Sequence, residues 1–308
     1  MYAVGAPSQN DPHTGSPSAP PELRMMTEAE FAEMRIEEGA RVVERHGRYW
    51  VETFRGFYQP VHQLAEHPLA DVRRPTARCW GYRSVLPSED AHLANGAYPV
   101  HLLDNLPGFT VDAFEESRRR DLRRCRSQVE IIRARDPEIF LRNGWDVYAS
   151  TKERVHTGAA VTRSEYVAEI ERRAVDPRRL LVAGLIDGRL AGYLESYAVD
   201  GILYGRDLYV ATEAMKTGIA TGLYLDTFEI GVRSGLAQRL CLGPELRERP
   251  GLAFFKKTMG VGVVRLPIRV DIPAPIRTVM RRLRPAAFYR ITGQEAGARH
   301  DIVEGSTK

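Results

Sequence analysis

Apolar residues in the second half of the chain fall in short runs separated by turn residues. Residues 179–186 (Arg-Leu-Leu-Val-Ala-Gly-Leu-Ile) and 189–197 flank Asp187-Gly188, and a second break at Asp200-Gly201 leads into a run ending at Val210. Two apolar runs around Asp-Gly predict a β-hairpin, because Gly accepts the positive φ that a type I′ turn demands. The period then changes. Leu223, Leu225, Phe228 and Ile230 predict a buried helix over 222–230, followed by a short strand over 238–242. A helix over 245–257 and a closing strand over 263–270 complete the series strand, strand, strand, helix, strand, helix, strand.

The first half is less regular. Residues 27–46 carry Phe31, Met34, Ile36, Val42 and Val43 at helical spacing, with Thr27 as a candidate N-cap. Residues 49–54 and 78–86 predict strands, 68–75 a connection, and 99–103 a short apolar segment. Thr110 predicts a helix start, with Phe109 and Phe114 placed to staple it. No sustained internal repeat is visible.

The stretch 208–220, Leu-Tyr-Val-Ala-Thr-Glu-Ala-Met-Lys-Thr-Gly-Ile-Ala, runs from a strand through a polar turn and a Gly-x-Ala step into the predicted helix. A helix N-terminus reached through small residues presents unpaired amides at the positive end of the helix dipole, where phosphate binds. A plain tight connection has the same outline. The residues resemble the acyl-CoA pyrophosphate loop of the GNAT superfamily of N-acyltransferases, Arg/Gln-x-x-Gly-x-Gly/Ala. Gly218 and Ala220 match it, and Met215 stands at the Arg/Gln position. Residues 249–261 resemble that superfamily's Asn-x-x-Ala-x-x-Leu-Tyr-x-x-x-Gly-Phe segment. Arg249 replaces the usual Asn, and Lys256 replaces a Tyr that in many members protonates the leaving thiolate. Phe255-Lys256 ahead of Gly260 is closer to Fem-type aminoacyltransferases, which share a GNAT-like fold. The resemblance covers about residues 128–270.

It implies an α/β fold with a GNAT-like mixed central sheet flanked by helices, preceded by an N-terminal α+β region. The expected division is a disordered tail over 1–24, an α+β region over 25–127, the acyltransferase domain over 128–270 and a basic helix and tail over 271–308. The N-terminal region is either a degenerate half of a Fem-type tandem or an extension. The resemblance further implies acetyl-CoA or another acyl-CoA as co-substrate, held by Tyr209, Val210, Met215, Lys216, Thr217, Gly218, Ala220, Thr221 and Arg249. An amide near Tyr209 or Val210 would hold the oxyanion. Glu195 and Asp207 are the carboxylates with reach to take the proton of an attacking amine.

Composition narrows the alternatives. A 308-residue chain exceeds one such core, and 43% apolar residues suffice for a large interior. No apolar run is long enough to cross a bilayer, and the N-terminus lacks the basic and apolar regions of a secretory signal. Cys79, Cys125 and Cys241 are widely spaced and predict buried thiols rather than a disulfide frame or zinc site. No His-x-x-x-His pair, Gly-x-Ser-x-Gly elbow or Gly-Lys-Ser/Thr loop occurs, so no metal is expected, and serine-hydrolase and P-loop chemistry are disfavoured. His62, His92 and His101 are expected to pack or face solvent.

Two arginine clusters stand out against a net charge of only +4. Residues 118–126 hold six Arg and one Asp. They suit a solvated helix anchored by Phe114, Leu122 and Cys125, or a polyanion site. Residues 277–284 suit a surface helix or tail, or contact with an anionic membrane surface. The resulting expectation is a soluble cytoplasmic acyltransferase acting on a small amine or amino-acid derivative. A Fem-type enzyme using aminoacyl-tRNA is the alternative within the fold, with tRNA not the favoured partner. A catalytically silent GNAT-like binding protein is the alternative outside catalysis.

Overall fold

The structure is a computed structural model that describes residues 23–155 and 161–295. The disordered tail expected over 1–24 lies almost wholly outside them, as do residues 296–308.

The first half opens with β1 (Met25–Met26) and α1 (Glu28–Glu37). Thr27 caps α1 in a reciprocal box with Glu30. The helix stops nine residues short of the expected end. Gly39 turns the chain at φ +81°, and Val42 and Val43 enter β2 (Val42–Arg45), where the pair His46-Gly47 makes a hairpin into β3 (Arg48–Phe54). Next come β4 (Phe57–Pro60), β5 (Gly81–Val85) and β6 (Gly96–Leu103). Thr110 makes no side-chain cap. A 3-10 turn at Val111–Ala113 separates it from α2 (Glu116–Gln128), although the Phe109 and Phe114 rings do touch.

The second half runs β7 (Glu130–Arg133), α3 (Glu138–Val155), α4 (Arg163–Val175), β8 (Leu180–Ile186), β9 (Arg189–Val199), β10 (Ile202–Val210), α5 (Ile219–Ser234), β11 (Arg239–Pro244), α6 (Pro250–Thr258) and β12 (Gly262–Asp271). Both Asp-Gly pairs make two-residue hairpins with positive φ at each central residue. The helix expected from 245 begins at Pro250, whose missing N–H is tolerated only in a first turn. Two further helices, α7 (Ala274–Leu283) and α8 (Pro285–Thr292), close the described chain.

All these strands share one sheet, ordered β2-β3-β4-β5-β12-β6-β11-β10-β9-β8-β7, with β1 on β9. The order reads almost the same from either end. In each half an antiparallel meander (β2-β3-β4, or β8-β9-β10) is followed by a parallel neighbour, β5 or β11. The last strand of each half then crosses over: β6 pairs with β11, and β12 with β5. β6 and β12 pair with each other at the centre. The regions 25–127 and 128–270 are therefore interleaved in one sheet, as two topologically equivalent units.

Helices α2 to α5 cover one face, burying Leu122, Phe140, Ile170, Leu223 and Phe228 in the larger apolar cluster. On the other face α1 supplies Phe31 and Met34, α8 supplies Ile291, and Ile276 and Met280 of α7 pack alongside. The fold is GNAT-like.

Candidate functional site

Parallel strands β10 and β11 pair only from Ile202↔Arg239 to Tyr204↔Cys241. Beyond that point they diverge, and a bulge between Gly205 and Asp207 bends β10 away. The gap is a cleft of about 700 Å³, walled by Arg206, Asp207, Leu208 and Val210 on one side and Leu242 to Pro244, Phe255 and Lys256 on the other. Met215, Gly218, Ala220 and Thr221 close one end, with Arg118 of α2, Arg154 of α3 and Arg249 around them. Most of the expected phosphate-loop residues thus come together in one cavity with several cations. Lys216 and Thr217 belong to the same loop but do not line the cavity.

The loop itself is a 3-10 turn, Thr212–Thr217, ending at Gly218 in the left-handed region at φ +81°. An added Cβ on Gly218 would lie 2.2 Å from the Asp121 carbonyl oxygen, and one on Gly222 would lie 2.4 Å from Cys125 Sγ. These glycines let α2 lie directly against the start of α5. Arg124 donates to the Lys216 carbonyl at 2.6 Å, and Arg118 pairs with Asp121 at 2.9 Å while lying over the Phe255 ring. Part of the 118–126 cluster therefore builds the cleft. Arg119 and Arg123 instead pair with Glu116 at the surface.

The expected oxyanion donors are committed elsewhere. The Val210 amide donates to Thr151 Oγ1 at 2.9 Å, and Thr151 donates back to the Val210 carbonyl, which also accepts from Arg154 at 3.0 Å. The Ala211 amide donates to Ala191 on β9, and strand alternation turns the Tyr209 amide the same way. Tyr209 packs its ring against Tyr148 and Tyr193 and does not line the cleft. By the same alternation the Leu208 backbone faces the open edge.

The two candidate carboxylates occupy different environments. Glu195 is 1% exposed and lies outside the main cleft, with Arg173 at 2.7 Å on one oxygen and Arg179 on the other. Arg179 and Arg206 also hold Glu38, the C-cap of α1, each at 2.6 Å. Burial opposes the charge on Glu38, but Arg206 and Arg179 hold its carboxyl down at about 2. Glu195 is a member of this buried ion network. Asp207 lines the cleft, has Arg206 Nε at 3.3 Å, and keeps part of its side chain open to solvent. Burial raises its pKa against the opposing Arg206 charge.

Lys256 is 5% exposed, projects from α6 into the cleft wall and donates to the Leu242 carbonyl at 2.5 Å. Burial pushes its ammonium down to about 8. An apolar setting that lowers a lysine into the neutral range equips it for proton transfer. A second, polar cavity of about 430 Å³ lies next to the cleft and shares Gln63, Tyr197 and Arg206 with it. His62 and His101 are buried and held near 4 by desolvation, and His92 is exposed. Among the described residues no group of His, Cys, Asp and Glu is arranged to hold a metal ion. All three cysteines are buried free thiols.

No protein-family model and no curated protein sequence matches the chain. Solved structures do resemble it in fold. The C-terminal domain of a putative lysylphosphatidylglycerol synthetase from Agrobacterium fabrum aligns at TM-score 0.55 and 11% identity, covering 87% of this chain and 98% of that one. A conserved protein of unknown function from Bacteroides thetaiotaomicron aligns at TM-score 0.54 and 12% identity, covering 79% and 89%. L-PGS from Bacillus licheniformis aligns at TM-score 0.52 and 12% identity, covering 85% and 96%. These likenesses extend over both halves of the sheet, beyond the 128–270 segment that carries the motifs.

Proposed function

We propose that the chain is an acyltransferase that brings an activated acyl carbonyl against an amine in the cleft between β10 and β11. The observation that carries this reading is the placement of Asp207 and Lys256 on the walls of one cavity whose far end is a cationic helix start. An amine must be neutral to attack. Asp207, with its raised pKa, accepts the amine proton, while the Leu208 amide meets the oxyanion in place of the committed Tyr209 and Val210 amides. Lys256, protonated below about pH 8, gives its proton to the leaving thiolate or alkoxide. Glu195 serves as counter-ion to Arg173 and Arg179 rather than as base.

The donor that suits the loop is an acyl-CoA. Its pyrophosphate would lie against Gly218, Ala220 and Thr221, between Arg118, Arg154 and Arg249. The acceptor, a small amine or amino-acid derivative, would reach the carbonyl from the adjoining polar cavity past Arg206. A second reading, aminoacyl transfer from tRNA, is favoured by two observations. Thr151 occupies an amide that a CoA thioester would need, and Arg120, Arg123, Arg124 and Arg126 lie exposed on the helix that borders the cleft.

The test offers labelled acetyl-CoA and labelled aminoacyl-tRNA separately, each with a panel of amines, and follows transfer of label. Transfer from acetyl-CoA that is lost in Asp207→Asn supports the first reading. Transfer only from tRNA, with affinity falling steeply as salt rises, supports the second. Transfer from neither, by protein that also fails to bind either donor, removes both.

A further inference from the structure

Helix α7 lies outside the chemistry just described. Ile276 and Met280 pack on the apolar cluster of the sheet face that α1 also covers. Beside them on the same apolar face of the helix, Val279 is 55% exposed and Leu283 is 72% exposed. They sit four residues apart, one above the other on a single face. Pro275 and Thr278 extend that face toward the helix start, and Arg282 and Arg284 border it, all exposed.

The charge around this apolar strip has one sign. Residues 274–292, spanning α7 and α8, hold five arginines and no aspartate or glutamate. Helix α8 secures the platform from behind. Arg290 pairs with Glu248 at 2.7 Å, and Tyr289 bonds to Glu245 at 2.5 Å, fixing the pair of helices to the loop after β11. Arg282 and Arg284 stay exposed while Ile276 and Met280 anchor the helix, so the cationic, apolar face is rigidly displayed.

We propose that this face of α7 docks on an anionic lipid bilayer. Val279 and Leu283 would enter the headgroup boundary, with Arg282, Arg284 and their neighbours against lipid phosphates. A short apolar strip flanked by cations is the pattern of helices lying in a membrane interface. A second copy of the chain is a poorer occupant, because two such faces would bring like charges together. Neither the cleft assignment nor the donor enters this inference.

The test is co-sedimentation of the full chain with vesicles of phosphatidylcholine alone and of phosphatidylcholine with about one-third phosphatidylglycerol. Binding is expected to the anionic vesicles only, falling at least tenfold when salt is raised from low to several times physiological strength. Val279→Asp with Leu283→Asp, and separately Arg282→Glu with Arg284→Glu, should each reduce it about tenfold or more. All four sites are exposed, so circular dichroism and melting should not change. Equal binding to neutral and anionic vesicles, no binding to either, or binding unaffected by both pairs overturns the proposal. So does a dimer on size-exclusion chromatography that Leu283→Asp dissociates, since the face would then be occupied by another copy.

Discussion

The two halves of the sheet carry the same strand path to opposite ends. In the second half, β10 and β11 part after Tyr204↔Cys241, and the space between them is the cleft. In the first half, β4 and β5 pair at Phe57↔Gly81 and Tyr58↔Tyr82, and the equivalent space is filled. Arg83 crosses it, donating to Gln59 at 2.7 and 3.1 Å and to the Arg290 carbonyl at 2.7 Å, and stacks over Tyr98. The segment that follows β4 folds back: the His67 amide reaches the Val85 carbonyl, and Glu66 bridges Val85. Where the second half inserts α5 between its parallel strands, the first inserts only a 3-10 turn at Leu69–Asp71. Diverging parallel strands therefore make an opening, and the inserted segment decides whether it becomes a site or a core. With a helix N-terminus and small residues it stays open. With Arg83 and His67 it closes.

The variant expected to cost most strikes the buried ion network. Glu195→Gln removes the buried charge that Arg173 and Arg179 share, leaving Arg173 only Glu169 and Arg179 only Glu38 and Asp176. Stability should fall by about 3–5 kcal/mol in denaturant unfolding. A still-stable variant with its rate lowered about a hundredfold would restore Glu195 as the base. Next in size is Lys256→Met, which should slow transfer by roughly 10²–10³. In the wild type the rate should fall as pH rises through about 8, because Lys256 gives up its proton there, and the variant should lose that limb. A variant that keeps the same alkaline limb assigns it to another group.

Asp207→Asn should lower turnover by about a hundredfold while leaving the melting temperature nearly unchanged, the reverse of Glu195→Gln. Gly218→Val sets a Cβ against the Asp121 carbonyl at a positive φ and should destabilise by more than about 2 kcal/mol. The smallest effect sharpens the comparison from the closed half. Arg83→Met should cost about 1–3 kcal/mol of stability through its lost bonds to Gln59 and Arg290, with turnover unaltered. A large drop in turnover at full stability would give the first half a catalytic share.

The second half was the more legible in sequence because its turns are local. Asp187-Gly188 and Asp200-Gly201 each specify a hairpin on their own, and β8, β9 and β10 followed. The helices α3 and α4 had no place in the sequence reading, although Thr162 with Glu165 ahead of Tyr166 and Ile170 is a capping-box signal for α4. That omission hid Thr151 and Arg154, which reach β10 from α3 and occupy the Val210 backbone. Strand alternation alone left open which way Glu195 and Asp207 face. Only the packing of α1 and α4 explains why one carboxylate is caged and the other reaches the cleft. The repeat was invisible because the halves share strand order and crossover, not side chains. The open gap and the filled one are lined by unrelated residues.

Hydrogen exchange with and without the functional acyl donor addresses the difference between the halves most directly. The account predicts donor-dependent protection over 206–224 and 242–256, around the open gap, and none over 57–85. Protection over 57–85, with 206–224 unchanged, would contradict it.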